Sequence, residues 1–176
     1  MATSQTASAA SKKSTSGNTN GRKPTRDAIA LLKADHAEVK KCFKAYEKLV
    51  KNDASAEERE ALANEICNLL SVHAQIEEEI FYPASRDLLG EDVDLVDEAD
   101  IEHASAKDLI AQIQNGSADD MHFNARVKVL SEYIEHHVKE EESELFPSVK
   151  DAGMDTKAVG QELLARKEEL TGEMPA

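Results

Sequence analysis

The sequence predicts an all-α protein built as an antiparallel up-down-up-down four-helix bundle, with an extra C-terminal helix and a disordered N-terminal tail. From residue 27 onward, apolar residues recur every three or four positions, which is the period of an amphipathic helix. Capping residues, prolines and an Asn-Gly pair divide this region into long segments joined by short loops. Four helices of roughly 22 to 29 residues with short connections favour such a bundle.

The 176 residues are enough for one domain with a real core. Residues 1–25 contain no Leu, Ile, Val or aromatic side chain, so burial could not repay the entropy of ordering them. We therefore predict a disordered basic tail over 1–26, the bundle over 27–150, and a C-terminal helix and tail over 151–176.

The net charge of −14 is unevenly distributed. The tail holds five basic and no acidic residues, so the remaining chain carries −14 minus 5, or −19. A body this acidic repels nucleic acid and anionic membranes, and its natural small partners are cations. There is no apolar stretch of about 18 residues, and Cys42 and Cys67 fit a reducing compartment. These features predict a cytoplasmic protein whose folded domain binds neither nucleic acid nor membrane.

The first two predicted helices each carry one stripe of inward-facing residues. The first covers about 27–51. The second is opened by a capping box of Ser55 and Glu58 and is expected to end at Pro83. Their stripes are Ile29, Leu32, His36, Val39, Phe43, Tyr46 and Val50 in the first helix, and Ile66, Leu70, His73, Glu77 and Ile80 in the second.

The next two helices repeat this pattern. The third covers about 93–114 and ends at an Asn-Gly pair, and the fourth is expected to open at Ser117 with Asp120 and to end at Pro147. A shorter helix, about 155–170, is expected to trail outside the bundle. The two stripes are Val96, Asp100, His103, Ile110 and Ile113 in the third helix, and Val127, Leu130, Ile134, His137, Glu141 and Leu145 in the fourth.

Each stripe carries one histidine, and all four histidines fall at the same depth. His36 and His103 lie about 9 and 10 residues into the first and third helices. His73 and His137 lie about 9 and 8 residues from the ends of the second and fourth, which run the other way. At about 1.5 Å per residue the four side chains occupy one layer a few Å thick, so they can converge.

Two glutamates join this layer through a repeated His-x-x-x-Glu motif, His73 with Glu77 and His137 with Glu141. Residues four apart share a helix face, so both carboxylates point inward. Burying them costs several kcal/mol each unless a positive group neutralises them, and only Lys107 lies near a stripe. Imidazoles and carboxylates without a thiolate favour iron, suit manganese less well, and disfavour a structural zinc site. The other candidate polar residues are predicted to face solvent: His122, His136, Glu78, Glu79, Glu140 and Glu142.

These histidines and glutamates, with the flanking segments "FYP" and "HHVKEEESELFP", resemble the hemerythrin-like, or HHE cation-binding, domain over about 27–150. The resemblance implies a four-helix bundle that holds a non-haem di-iron centre with an oxygen bridge. It also implies six ligands: His36 and His73 on one iron, His103 and His137 on the other, and Glu77 and Glu141 bridging the two. The ferritin-like di-iron bundle is disfavoured, because no Glu precedes any of the four histidines by three residues.

One position departs from the oxygen-carrying members of that family. They have a fifth histidine one turn beyond the third-helix ligand, where this sequence has Lys107. Two of about twelve coordination positions on two irons would then stay open. Asp100, one turn before His103, is a candidate extra ligand for one of them. The more open centre disfavours reversible oxygen carriage and favours peroxide, nitric oxide or iron handling.

The sequence therefore predicts a non-haem di-iron protein that binds or senses oxygen, peroxide or nitric oxide, or handles iron. Its expected partner is a small diatomic gas or peroxide. One alternative is a di-iron oxidoreductase that decomposes peroxide or nitric oxide. Another is an inert structural bundle whose polar layer serves only fold specificity. We find no obvious acid-base group near the expected site in the sequence, which favours binding over catalysis.

Overall fold

The computed structural model describes Met1 and residues 27–91 and 93–173. Every regular element in these residues is helical, so the predicted all-α bundle is confirmed. The disordered tail was predicted for a stretch that, apart from Met1, lies outside the described residues. The elements are α1 (Ala28–Lys51), α2 (Ala56–Ile76), a π-helical turn (Glu77–Phe81), α3 (Tyr82–Leu89), α4 (Asp94–Gln114), α5 (Phe123–Glu140), a second π-helical turn (Glu141–Leu145), α6 (Phe146–Asp151) and α7 (Thr156–Glu173).

The predicted ends of the second and fourth bundle helices are wrong. The chain does not stop at Pro83 or Pro147; it continues as α3 and α6, with each proline in the first turn of the new segment. Proline is tolerated in the first turn of a helical segment, where its missing N–H costs least. Each pair of helices with its π-helical turn therefore forms one continuous rod.

Helix boundaries elsewhere follow local chemistry. The capping box of Ser55 and Glu58 forms in both directions, as predicted. The fourth bundle helix begins at Phe123 and not at Ser117. The polar side chains before it hold the connecting loop in place of starting the helix. The Ser117 hydroxyl donates to Glu60 at 2.9 Å, and Asp120 accepts from the backbone N–H of His122 at 2.9 Å.

Four rods pack around a common axis in the order α1, α2–α3, α4, α5–α6, with α5 returning to α1. Their buried apolar residues form two clusters. One contains Phe43, Ile66 and Leu130, and the other contains Leu32, Ile76, Leu145 and the rings of Phe81 and Phe146. The histidines and glutamates predicted as ligands occupy the layer between the clusters. Along each rod, one cluster lies on one side of this layer and the other cluster lies on the other side.

Helix α7 does not trail outside the bundle, which corrects the prediction. It packs against α1, α2 and the first π-helical turn, and Leu163 is fully buried in the second apolar cluster. Its stripe of Val159, Leu163, Leu164 and Leu170 supplies the contact. None of the helices in the described segments is both long enough and apolar enough to cross a membrane.

Candidate metal centre

The four predicted histidines meet in two pairs at the polar layer. His36 from α1 and His73 from α2 bring their Nε2 atoms to 3.0 Å from each other. His103 from α4 and His137 from α5 do the same at 3.1 Å. All four rings are buried. Two imidazoles whose Nε2 atoms face each other this closely present two ligand atoms to a single point.

Glu77 and Glu141 lie between the two pairs. The Oε2 atom of Glu77 is 3.2 Å from Nε2 of His73 and 3.5 Å from Nε2 of His103. The Oε2 atom of Glu141 is 3.3 Å from Nε2 of His36 and 3.5 Å from Nε2 of His137. Each carboxylate therefore connects one pair to the other, which is the placement expected of a bridging ligand.

Among the described residues, no lysine or arginine pairs with these two carboxylates. Glu77 is 0% exposed, and neither of its oxygens has a hydrogen-bond partner among the described residues; the same is true of Oε2 of Glu141. Burial, and then the nearby Glu141 carboxylate, raise the pKa of Glu77 well above its usual range. Burial also acts on Glu141, but the adjacent His36 imidazole and the charges of His137 and His73 outweigh it and lower its pKa. The donor set fits a metal, because a bound cation would neutralise the two buried carboxylates and satisfy the orphaned oxygens.

The two π-helical turns begin at the two glutamates. The backbone N–H of Tyr82 bonds to the carbonyl of Glu77, and that of Phe146 bonds to the carbonyl of Glu141, each across five residues. Such wide turns occur often at functional sites because they rotate the side chains that follow relative to a straight α-helix. The repeated His-x-x-x-Glu motif thus brings a repeated backbone feature with it.

A tyrosine that the sequence analysis missed lies in the site. The Tyr82 hydroxyl donates to Oε1 of Glu141 at 3.0 Å and is 3.2 Å from Nε2 of His103. The side chain is 1% exposed, and burial, then the charge of Glu77, raise its pKa above the usual range. In a straight α-helix residue 82 would point away from residue 77; across a π-helical turn, residues five apart come close to the same face. The spacing Glu-x-x-x-x-Tyr-Pro is the signal that could have found it.

Two positions singled out in the sequence do not join the centre. Asp100, the candidate extra ligand, forms an ion pair with Nη2 of Arg86 at 2.5 Å, and its side chain is 43% exposed. Lys107, which stands where some family members have a histidine, turns outward to Glu78 with Nζ–Oε distances of 2.7 and 2.5 Å. The hydroxyl of Tyr82 is instead the protein group beside His103.

Carboxylates also support the outer nitrogens of the histidines. Nδ1 of His36 is 2.9 Å from Glu142, that of His103 is 3.0 Å from Glu78, and that of His137 is 2.7 Å from Glu102. Such partners fix the ring orientation and make the imidazole a better metal ligand. The prediction that Glu78 and Glu142 only face solvent is therefore wrong. It is correct for Glu79, His122 and His136, which are exposed.

His73 differs from the other three histidines. The nearest carboxylate oxygen to its Nδ1, Oδ2 of Asp35, is 3.6 Å away, beyond hydrogen-bond range. Both atoms are buried and have no hydrogen-bond partner among the described residues. One imidazole of the centre is thus held less tightly than the others.

A small cavity adjoins the two histidine pairs. Its volume is about 20 Å³, and besides the four histidines its wall is formed mainly by Val39, Leu70, Ala74, Ile134 and Val138. A space of this size holds a molecule about as large as water. The layer therefore offers a ligand of two or three atoms an apolar pocket beside the candidate metal positions.

Comparison with known proteins gives the family of this chain. A family described as "Hemerythrin HHE cation binding domain" matches residues 27–149, and the chain belongs to this family. It is a metal-binding helical domain, and the buried histidine and glutamate groups above are those that could hold the metal.

Two individual proteins are also similar. The crystal structure of a hemerythrin HHE cation-binding domain-containing protein from Mycobacterium kansasii superposes with a TM-score of 0.67 at 24% identity, covering 83% of this chain and 88% of that one. This likeness supports the fold. A DNA nickase from Nostoc sp. is 36% identical over 84 residues, which is 47% of this chain and 23% of the Nostoc protein. The chain thus spans less than a quarter of that relative's length.

Proposed function

We propose that the protein is a non-haem di-iron protein that binds oxygen, peroxide or nitric oxide at the polar layer. The observation that carries the proposal is a pair of buried carboxylates held between two histidine pairs, with both oxygens of Glu77 and Oε2 of Glu141 lacking a hydrogen-bond partner among the described residues. In the proposal, His36 and His73 hold one metal and His103 and His137 the other. Glu77 and Glu141 bridge them.

The ligand types favour iron over the alternatives. Four imidazole and two carboxylate ligands without a thiolate suit iron, suit manganese less well, and differ from a closed structural zinc site. Iron with a bridging oxygen would supply binding and redox chemistry toward small oxygen and nitrogen ligands. The apolar cavity of about 20 Å³ supports a ligand of that size. Iron handling is the alternative for the same centre, and two bound irons with no spectral change under air, peroxide or nitric oxide would favour it in the test below.

A second candidate is an oxidoreductase that decomposes peroxide or nitric oxide, and Tyr82 favours it. Its hydroxyl, hydrogen-bonded to Glu141, is a buried proton-bearing group beside His103. A ligand bound between the histidine pairs would lie within reach of that proton. The fold therefore places a hydrogen-bond donor beside the candidate metal positions.

Partners and location follow from charge and cysteine chemistry. Without its basic tail the chain carries −19, which disfavours contact with a phosphate backbone, so DNA nicking is not carried over from the Nostoc relative. Both cysteines are free, which agrees with the reducing environment of the cytoplasm.

The test is metal analysis of the purified, iron-reconstituted protein, followed by optical spectra under argon, air, peroxide and nitric oxide. We expect two irons per chain, spectral changes with at least one of these ligands, and loss of iron in His73→Ala and Glu141→Ala. Steady consumption of peroxide or nitric oxide would select the oxidoreductase. Fewer than about one and a half irons per chain would contradict the proposed centre, which has two sites.

A further inference from the structure

Helix α7 lies beyond the segment that matches the family, which ends at residue 149. It nevertheless reaches the polar layer. Lys167 donates from Nζ to Oδ1 of Asp35 at 2.5 Å, and one residue earlier Arg166 donates to Glu79 at 2.7 Å. Only the first of these ion pairs leads to a histidine of the candidate centre.

Asp35 connects α7 to His73. Its Oδ1 atom is held by Lys167, and its Oδ2 atom is directed at Nδ1 of His73 from 3.6 Å. Asp35 is buried, so without Lys167 its charge would be uncompensated. One oxygen of the Asp35 carboxylate is therefore bonded to α7. The other faces Nδ1 of His73, a candidate metal ligand, from just beyond hydrogen-bond distance.

A metal on Nε2 of an imidazole makes its Nδ1–H a stronger hydrogen-bond donor and fixes that nitrogen as the protonated one. At His73 this would draw the ring and Oδ2 of Asp35 together, from 3.6 Å to normal hydrogen-bond length, a closure of about 0.4–0.9 Å. A carboxylate held more firmly on that side is also a better-oriented partner for Lys167.

We propose that α7 is coupled to the metal centre through Lys167, Asp35 and His73, so that metal bound at His36 and His73 and the docking of α7 stabilise each other. Lys167 is then a positioning residue: it touches no metal and acts through Asp35. Coupling of this kind is reciprocal. The free energy by which bound metal stabilises the docking of α7 must equal the free energy by which docked α7 stabilises bound metal. The inference rests on the proposed metal centre.

The chain offers a matched control. Lys167 and Arg166 are adjacent on α7, are similarly buried, and each pairs with one carboxylate of the bundle. Lys167→Met and Arg166→Met each remove one cation and its ion pair with the bundle, and Arg166→Met also removes the pair with Glu169 within α7. Only Lys167→Met breaks the connection to His73. Asp35→Asn is a second test, because it weakens the same connection and leaves α7 unchanged.

The experiment compares the full-length wild type, Lys167→Met, Arg166→Met and Asp35→Asn, each metal-free and loaded anaerobically with iron(II). Hydrogen exchange of α7 backbone amides reports docking, and iron transfer to an added chelator reports retention. We expect iron to slow exchange in α7 in the wild type and Arg166→Met, with little change in Lys167→Met and Asp35→Asn. One of the two irons should leave roughly 10-fold faster in the latter two variants, as for loss of an outer hydrogen-bond partner.

Two results would overturn the coupling. One is an equal response of Lys167→Met and Arg166→Met in both measurements. The other is exchange in α7 that does not depend on iron in a wild type carrying two irons. A wild type that binds no iron would contradict the proposed centre itself and, with it, this inference.

Discussion

Replacing Glu77 with glutamine should stabilise the metal-free protein while destroying metal binding. The side chain is 0% exposed and neither carboxylate oxygen has a partner among the described residues. An unsatisfied buried polar group costs about 1–3 kcal/mol, and an unpaired buried charge costs more. Glutamine is nearly isosteric, carries no charge, and can donate its amide to the unpartnered Oε2 of Glu141.

We expect the free energy of unfolding of metal-free Glu77→Gln to exceed that of the wild type by about 1–3 kcal/mol at neutral pH. For a chain of this length each kcal/mol moves Tm by roughly 2–4 °C. Because folding raises the pKa of Glu77, its ionisation destabilises the folded state as pH rises above the value of 4.5 of an unperturbed carboxyl. The advantage of glutamine should therefore shrink as pH falls toward 4.5.

The assay is thermal unfolding of metal-free protein from pH 4.5 to 8, with metal content measured after reconstitution. Glu79→Gln is the matched control, since it makes the same substitution at an exposed position paired with Arg166. It should change stability by less than about 1 kcal/mol and keep both metals. A Glu77→Gln variant that is less stable without metal, or that still binds two metals, would refute the reasoning.

Three further predictions follow from the site. Tyr82→Phe removes only the hydroxyl beside His103, so the variant should keep two metals and lose about 1 kcal/mol of stability. The optical spectrum of bound peroxide or nitric oxide should shift. An unchanged spectrum would exclude a role for the hydroxyl in ligand binding. Glu102→Gln weakens the contact with Nδ1 of His137, so metal loss to a chelator should be roughly 10–100-fold faster than in the wild type. The control Glu98→Gln, at an exposed position, should lose metal at the wild-type rate. Equal rates in the two variants would show that the contact with His137 does not matter. Burial, then the neighbouring His137, lower the pKa of His103 to about 4 in the folded protein. As pH falls from 6.5 toward 4, this histidine gains a proton more readily in the unfolded chain, so the metal-free protein should lose stability, by at most roughly 3 kcal/mol from this group. His103→Gln should flatten that part of the stability curve, and a curve of wild-type slope would contradict the prediction.

The sequence was sufficient for the fold class and for the residues that meet in the polar layer. Helical period and rise placed His36, His73, His103 and His137 at one depth, and the four-residue spacing placed Glu77 and Glu141 on the same faces. These inferences needed only the geometry of a regular α-helix. They stay valid because His36 and His103 lie in helices without a π-helical turn, and the other four residues precede or begin such a turn.

What the sequence did not reveal depends on departures from that regular geometry or on how the helices are rotated. Tyr82 reaches the site only because a π-helical turn intervenes, and an α-helical period places it elsewhere. Glu142 lies beside Glu141 and looks solvent-facing on its own helix, yet its side chain reaches His36 across a helix seam. The contact between Lys167 and Asp35 joins residues far apart in the chain, and neither helix alone carries a sign of it.

Diffraction at the iron absorption edge from crystals of the iron-loaded protein tests the central claim most directly. Two anomalous peaks are predicted, one between Nε2 of His36 and His73 and one between Nε2 of His103 and His137, each in contact with a carboxylate oxygen of Glu77 and of Glu141. Peaks only at surface carboxylates, or an iron-free polar layer in protein that was loaded to two irons per chain, would contradict it.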